Sequence, residues 1–159
     1  MVKQTLYDPF TKITPFEKRA IARFLTENSE KGVVIDQQKL SSALDAAVKE
    51  IPSFGGFILT MSDEDGIIAL IVVNHTGMEQ FGPGHIISFF ATQKAQHNVG
   101  IGRKLLLNAL NKLKGNVALH LPANTPDKEL FEELGFSETH VEMQLQKNKQ
   151  KSHNTSKIA

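Results

Sequence analysis

The chain has 159 residues, 40% hydrophobic and 22% charged, enough for one domain that buries about two-thirds of its surface. It contains no cysteine, which excludes disulfides, thiolate zinc sites and cysteine nucleophiles. The net charge of +1 hides a split: Lys147, Lys149, Lys151 and Lys157 stand in an acid-free tail, and without them 14 basic residues face 17 acidic ones, a net −3.

The mildly acidic body argues against a nucleic-acid partner. The polar tail, residues 147–159, is expected to be disordered. No apolar run reaches membrane-spanning length, and the first residues lack a charged-then-apolar signal pattern. The expectation is a soluble cytoplasmic protein with no membrane partner.

In chain order, residues 4–7 read as a short first strand. Thr14-Pro15-Phe16-Glu17 is a capping box with proline at the first helical position, and Ile13, Phe16, Ala20 and Phe24 form an apolar stripe to about Asn28. Gly32 breaks that helix. Asp36 caps a second, whose Leu40, Ala43, Leu44, Ala47, Val48 and Ile51 share a face until Pro52 stops it. Phe57 to Met61 and Ile67 to Val73 are β-rich runs joined through Asp65-Gly66, a hairpin signal, with Asp63, Glu64 and Asp65 as a solvated turn. A glycine-punctuated loop, Thr76 to Gly84, carries Glu79 and leads into an apolar strand, Ile86 to Ala91.

Next comes Gln96-His97-Asn98-Val99-Gly100-Ile101-Gly102-Arg103, a glycine-opened turn feeding an amphipathic helix. Leu106, Leu110 and Leu113 share one face of that helix, with Leu105 and Ala109 beside them and Gly115 as its end. Val117 to Leu121 is a strand. Thr125 caps a short helix with Leu130, Phe131 and Leu134, ended by Gly135. Residues 136–146 hold one or two strands, since Val141, Met143 and Leu145 alternate. The order β-α-α-β-β-β-α-β-α-β-β describes a single three-layer α/β domain with a mixed sheet over residues 1–146.

A strand, a glycine turn and a helix start together favour an anion. The first helical amides lack intrahelical acceptors, the helix dipole is positive there, and glycine lets a phosphate approach. A dinucleotide fingerprint needs a third glycine where Leu105 stands, and a nucleoside-triphosphatase loop needs a hydroxyl where Arg103 and Lys104 stand. What remains is x-x-Gly-x-Gly before a Leu-rich helix, or a strand-to-helix turn with no ligand.

That pattern resembles the pyrophosphate motif of the GNAT family of N-acetyltransferases: Arg or Gln, two residues, Gly, one residue, Gly or Ala. A second segment is similar too. After the Val117–Leu121 strand comes Asn124, and seven residues later Phe131 stands at the family's Tyr position, followed by Glu132-Glu133-Leu134-Gly135-Phe136. Met143 in a late alternating strand also suits. The element order is similar to the family's acyl-CoA N-acyltransferase fold over residues 4–146.

The resemblance implies transfer of an acetyl group from acetyl-coenzyme A to a primary amine of a small molecule or peptide, without metal. It implies that Phe90 and Thr92 run beside the pantetheine arm and that His97, Val99, Gly100, Ile101, Gly102 and Arg103 hold the pyrophosphate. Asn124 and Phe131 would meet the coenzyme arm, and a homodimer fits the family's habit. The amine attacks the thioester directly in a ternary complex, so the protein aligns reactants and donates a backbone N–H to the developing oxyanion.

Departures from the family pattern bear on activity. Phe131 has no proton for the leaving thiolate, which opens an alternative: a non-catalytic acyl-coenzyme A-binding domain. His97 replaces the entrance Arg or Gln, Thr92 a common Val, and Lys94 a common Pro. The general base is unassigned; His120 and Glu79 are the candidates, with His75 and His85 behind them. The histidines lack His-Glu-x-x-His spacing, and Ser88 lacks a Gly-x-Ser-x-Gly elbow, so zinc and serine hydrolases have no support.

Overall fold

A computed structural model of the chain describes residues 1–29, 34–94, 100–121 and 125–147. It falls into two units, Met1–Thr125 and Pro126–Ala159. The first contains five strands: β1 Lys3–Tyr7, β2 Gly56–Asp63, β3 Gly66–His75, β4 His85–Thr92 and β5 Val117–Leu119. They form one mixed sheet in the order β1-β2-β3-β4-β5. Every pairing is antiparallel except β4 with β5. A parallel pair needs a crossover, and α3, Ile101–Leu110, supplies it. The β2–β3 turn closes at Asp63↔Gly66 because the Asp63 carboxylate accepts the Asp65 N–H at 2.8 Å and Gly66 adopts a φ of 130°.

Both sheet faces are covered. The Ile68 to Val73 stretch is buried throughout, which is why it reads as a continuous apolar run. On one face lie α1, Pro15–Glu27, and α2, Gln37–Ala47. Their Ile21, Phe24, Leu25, Leu40, Leu44 and Ala47 cluster with Ile58, Leu70, Val72 and Ala91 of the sheet. Strand alternation sends Phe57, Leu59, Ile71 and Val73 to the opposite face. There α3 packs on β2, β3 and β4 and buries Leu105, Leu106 and Ala109.

The caps form as the side chains require. The Glu17 N–H donates to Thr14 Oγ1 at 3.1 Å, and Asp36 Oδ1 accepts from the N–H groups of Gln38 and Lys39. The Glu17 carboxylate of α1 lies near the Tyr7 hydroxyl of β1. Burial, and then that carboxylate's charge and hydrogen bond, raise the Tyr7 pKa.

Several boundaries differ from the sequence expectation. Helix α2 stops at Ala47 rather than reaching Ile51. Lys49 turns into the left-handed region at φ 57°, the Lys49 N–H meets the Ala46 carbonyl, and the Glu50 N–H meets the Asp45 carbonyl at 2.8 Å. Lysine stands where glycine is favoured, so Lys49→Gly is expected to stabilise the fold by about 0.5–1 kcal/mol, measured by urea unfolding. Helix α3 ends at Leu110, short of Gly115, because Lys112 and Leu113 close tighter turns onto Ala109 and Leu110.

The second unit contains α4, Asp127–Glu133. Its N-cap is Pro126, with no side-chain cap bond, so the helix starts later than a Thr125 cap predicts. Its other end is a reciprocal turn: Phe136 N–H to Phe131 carbonyl and Gly135 N–H to Glu132 carbonyl, both at 3.0 Å, with Gly135 at φ 99°. The Phe131 and Phe136 rings meet edge to face at 5.4 Å, the apolar contact such a turn favours. Lys128 and Glu138 form an ion pair beyond it.

The strands expected in residues 136–146 do not form among the described residues. Alternation sets which side chains would share a face, but a strand also needs a partner edge. None pairs with this segment in the described residues, and Val141 and Met143 remain 88% and 90% exposed.

Candidate active site

The site is built where β4 outruns its partner. The β4–β5 ladder holds His85↔Val117, Ile86↔Ala118 and Ile87↔Leu119, then stops, while β4 continues to Thr92. Five residues of β4, about 16 Å of strand, thus extend past the ladder. Ser88 on β4 and His120 after β5 are the first positions beyond the last pair.

A bulge lies at that point. Val72 pairs with Phe89 and Val73 with Ile87, which leaves Ser88 as the extra residue on β4. Its effect is visible in side-chain direction. Ser88 bonds Asn74 Oδ1 while its neighbour Phe89 packs on the α1–α2 cluster, so two successive residues face the same side. Asn74 Nδ2 in turn donates to the Ala43 carbonyl of α2 at 3.0 Å.

Beyond the stretch of β4 past the ladder, α3 begins. Its N-cap, Gly100, sits at φ 74°, which disfavours any other residue, and an added Cβ would meet nothing within 4 Å. The Lys104 N–H to Gly100 carbonyl bond, 3.1 Å, opens the helical series, and no side chain caps the turn. Helices usually place acids in the first turn, as α1 does with Glu17 and α4 with Asp127 and Glu129. Helix α3, like α2, has none there; it carries the exposed Arg103 and Lys104 and, unlike α2, no side-chain cap. An open left-handed glycine, acid-free amides and two cations fit a phosphorylated ligand. Gly102 is buried within this turn and Ile101 half-buried. Phe90 is half-buried and Thr92 buried along the extended part of β4. The expected ligand residues His97, Val99 and Asn124 lie outside the described residues. Phe131 is buried within α4 and makes the helix-end contact already described.

The candidate bases separate. His120 is exposed and adjoins the end of the ladder. Glu79 lies in the β3–β4 loop, at the opposite sheet end from the α3 start; its side chain rests on Gly84. The acidic β2–β3 turn lies at the α3-start end.

His75 and His85, directly paired across β3 and β4, face each other with Nδ1 atoms 2.6 Å apart. His85 Nε2 lies 2.7 Å from the Lys114 carbonyl, which can only accept. In the neutral pair His85 therefore donates from Nε2 and accepts at Nδ1 from His75. This clasp ties the strand ends to the chain after α3, away from the bulge. Burial lowers the His75 pKa, and His85 and Lys49 add to that against an upward pull from Glu79. Below its ordinary 6.5 the unfolded chain then binds more protons than the folded one. Stability is expected to be full above that pH and to fall as pH drops through it. Melting curves from pH about 7.5 to about 5.5 check the sign, and His75→Gln should flatten the slope.

The Ser88–Asn74 contact was not legible in the sequence. The one local cue was a polar residue ending an apolar strand. Among the described residues no group of three or more histidines and carboxylates could hold a metal ion, and no helix is long and apolar enough to cross a membrane.

A model of the acetyltransferase (GNAT) family matches residues 21–136. No curated protein matches. Among solved structures, a GNAT-family acetyltransferase from Streptococcus pneumoniae TIGR4 is 17% identical, with a TM-score of 0.63 over 92% of this chain and 99% of that one. The ribosomal-protein-S18-alanine N-acetyltransferase from Escherichia coli is 13% identical, with a TM-score of 0.62 over 87% of this chain and 80% of that one. A transcriptional regulator from Bacillus halodurans C-125 is 18% identical, with a TM-score of 0.61 over 90% and 99%. At such identities the likeness concerns the fold.

Proposed function

The chain belongs to the GNAT acetyltransferase family, and on that premise we propose that it moves an acetyl group from acetyl-coenzyme A to a primary amine of a small molecule or peptide. Three features that follow one another in the chain support this reading: the β4 bulge, the stretch of β4 past the ladder, and the glycine-opened α3 start. Acetyl-coenzyme A supplies an activated acyl carbon and a thiolate leaving group. The α3 turn, with Gly100, Ile101, Gly102 and Arg103, grips its pyrophosphate, and Phe90 and Thr92 line its arm. His97, Val99 and Asn124 complete that set. The β4 bulge fixes where the amine meets the acyl group. A C–N bond forms as the C–S bond breaks with its electron pair going to sulfur, and the amine's surplus proton passes to His120 or to water.

Incubation with acetyl-coenzyme A and a panel of amines tests this. The expected result is thiol release matched by acetylated product. Coenzyme binding without release above background across the panel would favour the second reading, a non-catalytic acyl-coenzyme A-binding domain.

That second reading is motivated by Phe131, which has no acidic hydrogen and is 1% exposed with its ring against Phe136. The acyl-transfer reading needs no acid there, because a thiolate leaves readily. Phe131→Tyr is accordingly expected to lower stability by about 1–3 kcal/mol, as a hydroxyl enters a buried apolar position, without raising the rate of thiol release. Parallel melting and thiol-release assays check it; a faster variant would assign the rate limit to the missing acid.

A further inference from the structure

We propose that Ser88 orients the acceptor amine, accepting one of its N–H bonds at Oγ; this rests on the acetyl-transfer reading above. Proton direction within the Ala43–Asn74–Ser88 chain assigns this role. The Ala43 carbonyl can only accept, so the Asn74 carboxamide must turn its nitrogen toward α2. That leaves Asn74 Oδ1 toward Ser88, and a carboxamide oxygen also only accepts. The Ser88 proton is therefore committed to Asn74. What Oγ retains is acceptor capacity, and no described group donates to it.

A hydroxyl held as a pure acceptor selects a donor. An amine brings N–H donors and must keep its lone pair aimed at the acyl carbon; an N–H bond to Ser88 leaves that lone pair free. Position supports the same role. Ser88 is the bulged residue and the first on β4 beyond the β5 ladder, and it is half-buried rather than sealed in the core. Asn74 acts through Ser88 as a positioning residue: its two bonds tie the bulge to α2 and fix which way the hydroxyl points. The inference also accounts for a polar chain built into an otherwise apolar face, where an unsatisfied group would be costly.

The experiment takes the panel amine with the lowest KM and compares wild type with Ser88→Ala, Ser88→Cys and Ser88→Thr. It reads steady-state kinetics and, separately, calorimetric binding of that amine to the coenzyme A-loaded protein. Loss of one hydrogen bond to a charged or strongly polarised N–H should raise the amine KM and Kd about 10-fold in the Ala and Cys variants. The KM for acetyl-coenzyme A should stay unchanged, and the Thr variant, which keeps the hydroxyl, should restore the amine affinity. Ser88→Cys preserves the side-chain shape and carries the test if the Ala variant is unstable. Amine affinity unaltered in every variant of an active enzyme overturns the role of Ser88 alone. A wild type that binds coenzyme A but transfers to no amine overturns the acetyl-transfer reading and this inference with it.

Discussion

Gly102→Glu is expected to abolish coenzyme A binding. Gly102 lies in the first turn of α3, whose N-cap is an open glycine and whose first turn has no acid. A carboxylate introduced there would stand beside a doubly charged pyrophosphate. Two like charges about 4 Å apart at a protein surface repel by about 4 kcal/mol, on the order of a thousandfold in affinity. The new charge would also occupy the positive helix end that the phosphate needs. Calorimetry with coenzyme A reads the loss directly. Because Gly102 is buried, the variant's melting curve must accompany it. Lys104→Glu, on the exposed side of the same turn, reverses a charge without touching the core and should weaken binding by a smaller factor. A folded Gly102→Glu protein with unaltered affinity would remove the turn from the coenzyme site.

Gly56→Ala should unfold the protein or cost more than about 3 kcal/mol, a large share of a typical domain's stability. Gly56 starts β2 at φ 155°, opposite Asn74. A Cβ there would fall 2.0 Å from the Val73 carbonyl oxygen and 3.0 Å from Asn74 Cα. These are backbone atoms of the central strand, so no side-chain rotation relieves the clash. Shifting them would also displace the Asn74 carboxamide and with it Ser88. Gly66→Ala is the contrast: its φ of 130° is similarly unusual, but nothing lies within 4 Å of the added carbon. Urea unfolding of both variants separates steric from conformational cost, and a Gly56→Ala protein as stable as Gly66→Ala would contradict the β2–β3 packing.

Much of the fold was readable because local signals and packing agree. Thr14 and Asp36 announce helix starts that form as expected, and Asp65-Gly66 marks the hairpin. The continuous apolar run from Ile68 to Val73 reflects a central strand covered on both faces. Helix ends were harder. Nothing in the apolar stripe through Ile51 reveals that Lys49 turns left-handed and closes α2 early. The alternation of Val141, Met143 and Leu145 suggested strands because periodicity registers faces and not partners.

The site divides the same way. Gly100 and Gly102 stand out in the sequence because an anion turn demands particular residue types at a fixed spacing. Ser88 and Asn74 do not, since they matter through a register shift between distant strands. His75 and His85 read as further candidates for a base behind His120 and Glu79, and cross-strand pairing joins them to each other and to the Lys114 carbonyl.

The most direct test of the account is to titrate isotope-labelled protein with coenzyme A and follow the backbone amide signals at the start of α3. Gly100, Ile101 and Gly102 are expected to shift together and to saturate at the coenzyme A concentration that saturates binding by calorimetry. Signals that stay in place while coenzyme A binds elsewhere, or does not bind at all, would contradict it.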